Sequence, residues 1–242
     1  MCDDHGLSLP RRSLLSATAT SLAVGGMARL ATSAAAAAEP PPAGAPNAIT
    51  PDQALARLME GNGRYVANTR QNSDFAAGRA ARAAAQYPIA GILSCADARV
   101  APEYVFDQGP GDLFVVRVAG NFVSLDGLAS LEYGVQFLGT PLVMVLGHAG
   151  CGAIAATIKV LKDHATLPGH LPQLVAAIKP AIDLAEKAKA PDPLAAAIAQ
   201  NVRYNVRRLQ GATPIIAEAA KAGRIRIVGG VYDIATGRVT LI

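Results

Sequence analysis

Short, largely apolar runs at 89–94, 113–118, 142–146, 224–231 and 239–242 constrain this chain more than any other feature. Runs of this length read as strands rather than helices. Longer segments with helical spacing lie among them, at 129–138, 151–163, 171–189, 194–209 and 214–222. Pro180 is expected to kink or interrupt the third of these, and Pro191 and Pro193 mark the break before the fourth. Strands with apolar side chains on both faces need cover on both sides. The pattern therefore predicts an α/β fold with a mainly parallel central sheet flanked by helices. The last two runs, joined across 233–237, predict a hairpin that ends the sheet on an antiparallel edge strand.

The folded part begins abruptly at Thr50-Pro51-Asp52-Gln53, which combines an N-cap, a proline at the first helical position and a capping-box glutamine. Ahead of it, 39–49 reads as a Pro-rich linker without a core-forming pattern. Residues 1–38 read as a signal peptide. Arg11-Arg12 stands before leucines and a weakly apolar, Ala-rich stretch, and Ala36-Ala37-Ala38 offers a small-x-small cleavage pattern. Paired arginines, weak hydrophobicity and the late Arg29 favour a twin-arginine (Tat) signal over a Sec signal, with the periplasm as the expected compartment. The apolar stretch is too short for a membrane span, so no stable membrane insertion of the mature chain is expected.

Without the leader, 19 basic and 16 acidic residues remain, and no basic run exceeds Arg207-Arg208. That balance, with few aromatics, argues against nucleic acid as a partner. Cys2 falls in the leader, leaving Cys95 and Cys151. Two cysteines in a domain of this size do not make a disulfide scaffold.

Reactive side chains concentrate directly after two strands. Cys95-Ala96-Asp97-Ala98-Arg99 follows the run 89–94, and Gly147-His148-Ala149-Gly150-Cys151-Gly152 follows 142–146. Ligand sites in open α/β sheets form beyond the carboxyl ends of strands where crossovers diverge. If the two strands are neighbours, Cys95, His148 and Cys151 converge there as two thiolates and one imidazole. This donor set suits Zn²⁺ with one position open. Cys151 opens a helix, whose free N–H groups favour a thiolate, and Gly150 and Gly152 allow a tight turn. Asp97 and Arg99, two apart, can pair in bidentate fashion, leaving an aspartate oxygen to accept a proton. Buried apolar thiols, or a disulfide, are the alternatives for the cysteines; neither accounts for His148, Asp97 and Arg99. The glycines read GxxGxG, not the dinucleotide fingerprint GxGxxG. His5 belongs to the leader, and His164 and His170 sit in a polar loop as solvated side chains.

Cys95-Ala96-Asp97-Ala98-Arg99 and His148-Ala149-Gly150-Cys151 resemble the CxDxR and HxxC motifs of the β-carbonic anhydrases. The resemblance extends through 106–121 and Ser130-Leu131-Glu132-Tyr133-Gly134 and covers the chain from Thr50 onward. It implies one zinc per chain on Cys95, His148 and Cys151, and Asp97 with Arg99 as catalytic dyad. It also places Gln108, Gly120 and Gly152 on the substrate side. The implied reaction is reversible hydration of carbon dioxide to bicarbonate by a zinc-bound hydroxide, in a homodimer or an assembly of dimers. Some bacterial relatives carry a tryptophan of an inhibitory bicarbonate pocket where this chain has Ile92, so an open site is expected, not one closed by Asp97. A hydrolase of carbon disulfide or carbonyl sulfide on the same scaffold, and a non-catalytic zinc-binding protein, remain as alternatives.

Overall fold

The computed structural model describes residues 41–76 and 78–242. The proposed signal peptide lies outside the described residues. In chain order the elements are α1 (Pro51–Val66), α2 (Arg79–Ala84), β1 (Ala90–Ser94), α3 (Pro102–Val105), β2 (Leu113–Arg117), α4 (Leu125–Leu138), β3 (Leu142–His148), α5 (Gly152–Asp163), α6 (Leu171–Glu186), α7 (Pro193–Gln210), α8 (Ile215–Lys221), β4 (Arg226–Tyr232) and β5 (Val239–Leu241).

The strands form one five-stranded sheet in the order β2-β1-β3-β4-β5. All neighbours are parallel except β4 and β5, the expected antiparallel edge. The hairpin turn closes with Gly237 N–H donating to Asp233 O at 2.8 Å. Every residue of β1 and β3 is buried, which explains why these strands read as unbroken apolar runs. One face carries α1, whose Ala54, Leu55 and Leu58 join Ile92, Met144 and Leu146 in a shared core. Val202 and Leu209 of α7 cover the other face, with Leu93, Val143 and Val145.

Local chemistry sets the helix starts. Thr50 Oγ1 accepts from Gln53 N–H at 3.2 Å and Gln53 Oε1 accepts from Thr50 N–H at 2.8 Å, so the capping box closes in both directions. α4 starts at Leu125, four residues before the expected 129, because Ser124 caps it by accepting from Gly127 N–H. Asp126-Gly127 is a turn-like pair that masks this first turn in sequence. α6 continues through Pro180 without interruption. The burial of Ile178, Ala181 and Ile182 on that helix offsets the roughly 3 kcal/mol that an internal proline costs. The single-turn α3 and the six-residue α2 are too short to show a period in sequence. Residues 41–49, read as a linker, hold a buried anchor: Asn47 donates through Nδ2 to Leu138 O at 2.6 Å.

Between β1 and β3 the topology reverses. The chain leaves β1 toward β2 on one side and returns to place β3 on the other. Ser94 pairs with Leu146, so the segments that follow the two strands emerge at the same level, side by side.

Candidate metal centre

Cys95 follows β1 directly, His148 ends β3, and Cys151 is the N-cap of α5. Cys95 Sγ and Cys151 Sγ lie 4.0 Å apart. The ligand atoms of Cys95, His148 and Cys151 all fall within 4.8 Å of one another, and all three residues are buried. Two thiolates on one tetrahedral zinc sit roughly 3.8 Å apart, so the observed spacing fits such an ion. His148 Nδ1 lies 3.0 Å from Ala149 O. Donation to that carbonyl fixes the tautomer with the lone pair on Nε2. That Nε2 is buried without a hydrogen-bond partner. An unsatisfied imidazole nitrogen facing two thiols is the arrangement a metal ion completes.

Electrostatics distinguishes the two thiols. Hydrogen bonding from Cys151 lowers the Cys95 pKa to about 4 against the opposing effect of burial, helped by His148 and the N–H groups of Gly120 and Asp97. The Cys95 neighbour and burial push the Cys151 thiol far up, against the N–H groups of Ile154 and Ala153 at the start of α5. The N–H groups at the start of α5 favour charge on Cys151, as expected, while burial and the neighbouring sulfur 4.0 Å away oppose it. Burial disfavours charge on His148, yet Cys95, the Ala149 carbonyl and Asp97 raise its pKa on balance.

Asp97 and Arg99 form the expected clamp. Arg99 donates through Nε to Oδ1 at 2.9 Å and through Nη2 to Oδ2 at 2.7 Å, and its backbone N–H reaches Oδ1 at 3.0 Å. These bonds hold the Asp97 carboxyl well below the usual carboxylate range despite partial burial. Asp97 Oδ2 stands 3.8 Å from His148 Nε2. One carboxylate oxygen thus faces the ligand cluster while the guanidinium holds both.

The glycines divide by role. Gly150 has φ +65°, a left-handed conformation that glycine adopts without steric cost, and it turns the chain from β3 into α5. Gly152 lies within α5, and a Cβ there would meet nothing within 4 Å, so no conformational need fixes it as glycine. Gly120 directs its N–H to Cys95 Sγ at 3.3 Å. Gln108 sits apart from this group: it donates through Nε2 to Phe106 O at 2.8 Å and lines a cavity with Arg70, Asn72, Phe75, Tyr104 and Asp107. His170 is an exposed residue at the start of α6, and His164 ends α5 in an exposed left-handed turn.

The family model described as carbonic anhydrase matches residues 90–239. A carbonic anhydrase of Mycolicibacterium smegmatis is 40% identical over 192 residues, covering 79% of this chain and 93% of the relative. Carbonic anhydrase 2 of Mycobacterium tuberculosis is 39% identical over 79% of this chain and 92% of its own. The solved structure of a Coccomyxa β-carbonic anhydrase in complex with acetazolamide aligns with TM-score 0.61 and 27% identity, over 78% of this chain and 86% of that one. The chain belongs to the β-class carbonic anhydrase family. Carbonic anhydrases of this class are zinc enzymes, and the Cys95–His148–Cys151 group is arranged as such a metal site.

Arg117 went unnoticed in sequence. It donates through Nε to Cys95 O at 3.0 Å and through Nη2 to Asp97 O at 2.7 Å, fastening the backbone that carries both residues. Only the β1–β2 register, which pairs Ser94 with Arg117, brings it there. As a single charged residue near the end of an apolar run it carries no local signal.

Proposed function

We propose that the chain catalyses the reversible hydration of carbon dioxide to bicarbonate and a proton, with one zinc on Cys95, His148 and Cys151 and Asp97–Arg99 as catalytic dyad. The observation that carries the dyad is the position of Asp97, 3.8 Å from His148 Nε2 yet gripped at both oxygens by Arg99. Bound zinc supplies the activation of water near neutral pH. Asp97 accepts a hydrogen of that water at Oδ2 and so fixes its orientation toward the substrate. Arg99 keeps Asp97 ionised and turned away from ligation, which leaves the fourth position open. Gln108 and Gly152 remain substrate-side residues in this reading, and Gly120 acts through Cys95.

Residues 1–38 direct export through the Tat route to the periplasm, leaving 39–49 as a connecting segment and 50–242 as the catalytic domain. Folding and metal loading before export would protect two thiols from oxidative pairing. No helix among the described residues is long and apolar enough to cross a membrane. Assembly as a homodimer, or as dimers of dimers, is supported by an exposed aromatic group beside edge strand β2. Tyr133 stacks 5.4 Å from Phe137 and 6.2 Å from Phe114, and Phe137 is 70% exposed.

Stopped-flow recording of proton release on mixing with carbon dioxide, with zinc counted on the same full-chain sample, tests the reading. Rapid hydration with about one zinc per chain is expected. Full zinc without hydration overturns it, and turnover of carbonyl sulfide or carbon disulfide by that sample would identify the sulfur-analogue hydrolase instead.

A further inference from the structure

The buried face of α7 is apolar at Ala197, Ile198, Val202 and Leu209 but carries two asparagines, Asn201 and Asn205, one turn apart. Both are at most 1% exposed. Side-chain amides on a core-facing helix are costly to bury unless bonded, and these are bonded in a directed way. Asn201 donates through Nδ2 to Gly120 O at 2.8 Å. Asn205 donates through Nδ2 to Asn201 Oδ1 at 3.2 Å, which orients the Asn201 amide, and accepts from Val123 N–H at 2.8 Å.

The segment they grip ends on a metal ligand. Gly120 and Asn121 are successive left-handed residues, with φ +82° and +41°. A Cβ at Gly120 would stand 2.6 Å from Ile178 Cδ1, so the turn fits closely beneath α6. On one side Val118 is tied to the β1 loop by N–H donation to Ser94 O at 3.1 Å. On the other side the Asn201 bond holds the Gly120 carbonyl. Between these anchors the Gly120 N–H points at Cys95 Sγ, 3.3 Å away. An N–H donor on a thiolate draws charge from the sulfur and fixes the direction of its remaining lone pairs.

We propose that Asn201 is a positioning residue of the metal centre: by fixing the Gly120 carbonyl it holds the Gly120 N–H on Cys95 Sγ and so tunes the sulfur–metal bond. This rests on Cys95 being a metal ligand. Without Asn201 the Gly120–Asn121 peptide loses its anchor, and rotation about the left-handed Gly120 lets its N–H leave the sulfur, which then carries more charge in a direction no longer set.

The test uses the full chain loaded with Co²⁺ in place of Zn²⁺. The wild type should show a thiolate-to-cobalt charge-transfer band; its absence would remove the ligand assignment itself, separately from the claim for Asn201. Asn201→Leu should shift that band and speed metal loss to a chelator by about tenfold, the low end of what outer-shell partners contribute. Arg208→Met removes a different anchor of the same loop, the Nη1 bond to Val123 O at 2.7 Å, and should leave both readings unchanged. Equal behaviour of Asn201→Leu and wild type overturns the proposal. So do equal shifts in both variants, which would reflect general loosening of the loop. If the leucine variant does not fold, Asn201→Ala removes the same donor with less bulk. Loading the wild type with ¹¹³Cd gives an independent reading, since the Gly120 amide proton should couple to the metal nucleus through the hydrogen bond. A missing coupling overturns the proposal as well.

Discussion

The two loops that deliver the sulfur ligands are built in opposite ways. The Cys151 loop is held by its own residues: Ala149 N–H donates to Tyr232 O at 2.8 Å, His148 Nδ1 meets Ala149 O, Gly150 takes the left-handed turn, and Ala155 N–H closes the first turn of α5 onto Cys151 O. The Cys95 loop adds two arginine side chains, one of them from β2, to its backbone bonds. Arg117 binds the carbonyls of Cys95 and Asp97, and Arg99 grips Asp97. A strand-to-helix turn carries its geometry in local sequence, whereas a loop without a helix behind it depends on the neighbouring strand. The two neighbouring strands thus present their ligands by different means.

Removing a ligand from either loop should have the largest effect and abolish the contrast between them. Alanine at Cys95, His148 or Cys151 should prevent stoichiometric zinc binding, read by metal analysis after dialysis; full occupancy in any of the three would break the ligand set. Arg117→Met separates the loops. Two hydrogen bonds from a charged donor are lost, so about 1.5–3 kcal/mol of stability should go, with turnover reduced more than zinc content. Chemical denaturation alongside stopped-flow assays reads this, and unchanged turnover would show that the Cys95 loop does not need its strand neighbour. Gly150→Ala probes the backbone-built loop. A Cβ there meets nothing within 4 Å, so only the left-handed conformation is penalised, by about 1–2 kcal/mol. A thermal scan checks this, and a much larger loss would mean the turn is fixed by more than its φ.

The smallest expected effect lies away from both loops, at Asp107. Burial raises its pKa, but the N–H groups of Gln71 and Asn72 and the Arg64 guanidinium, 2.6 Å away, outweigh it and lower the pKa on balance. A depressed carboxylate pKa contributes stability that is complete above the unfolded value, about 3.9, and is lost as pH falls through the folded value. Asp107→Asn should therefore flatten the acid limb of the stability curve while leaving metal content at neutral pH intact. An acid limb as steep as that of the wild type would assign the effect to other carboxylates.

The same division decides what could be read in advance. The sheet, its antiparallel edge and the convergence of Cys95, His148 and Cys151 were legible because buried strands announce themselves as apolar runs and the ligands follow two of them directly. The Asp97–Arg99 pair was legible because its partners are two residues apart. Arg117, Asn201 and Asn205 were not, since the loop carbonyls and N–H group they hold lie 20 or more residues away, and only strand register and helix placement bring them together. Gln108 lines a cavity with Arg70 and Tyr104 within this chain, and its proposed place on the substrate side rests on the motif alone.

Asp97 is proposed to work at the metal without binding it. Asp97→Asn, with zinc content and carbon dioxide hydration measured on one full-chain sample, tests it most directly. The account predicts zinc equal to that of the wild type and turnover lower by about 10²–10⁴, the range that a positioned proton acceptor contributes. Wild-type turnover in that variant, or loss of its zinc, would contradict it.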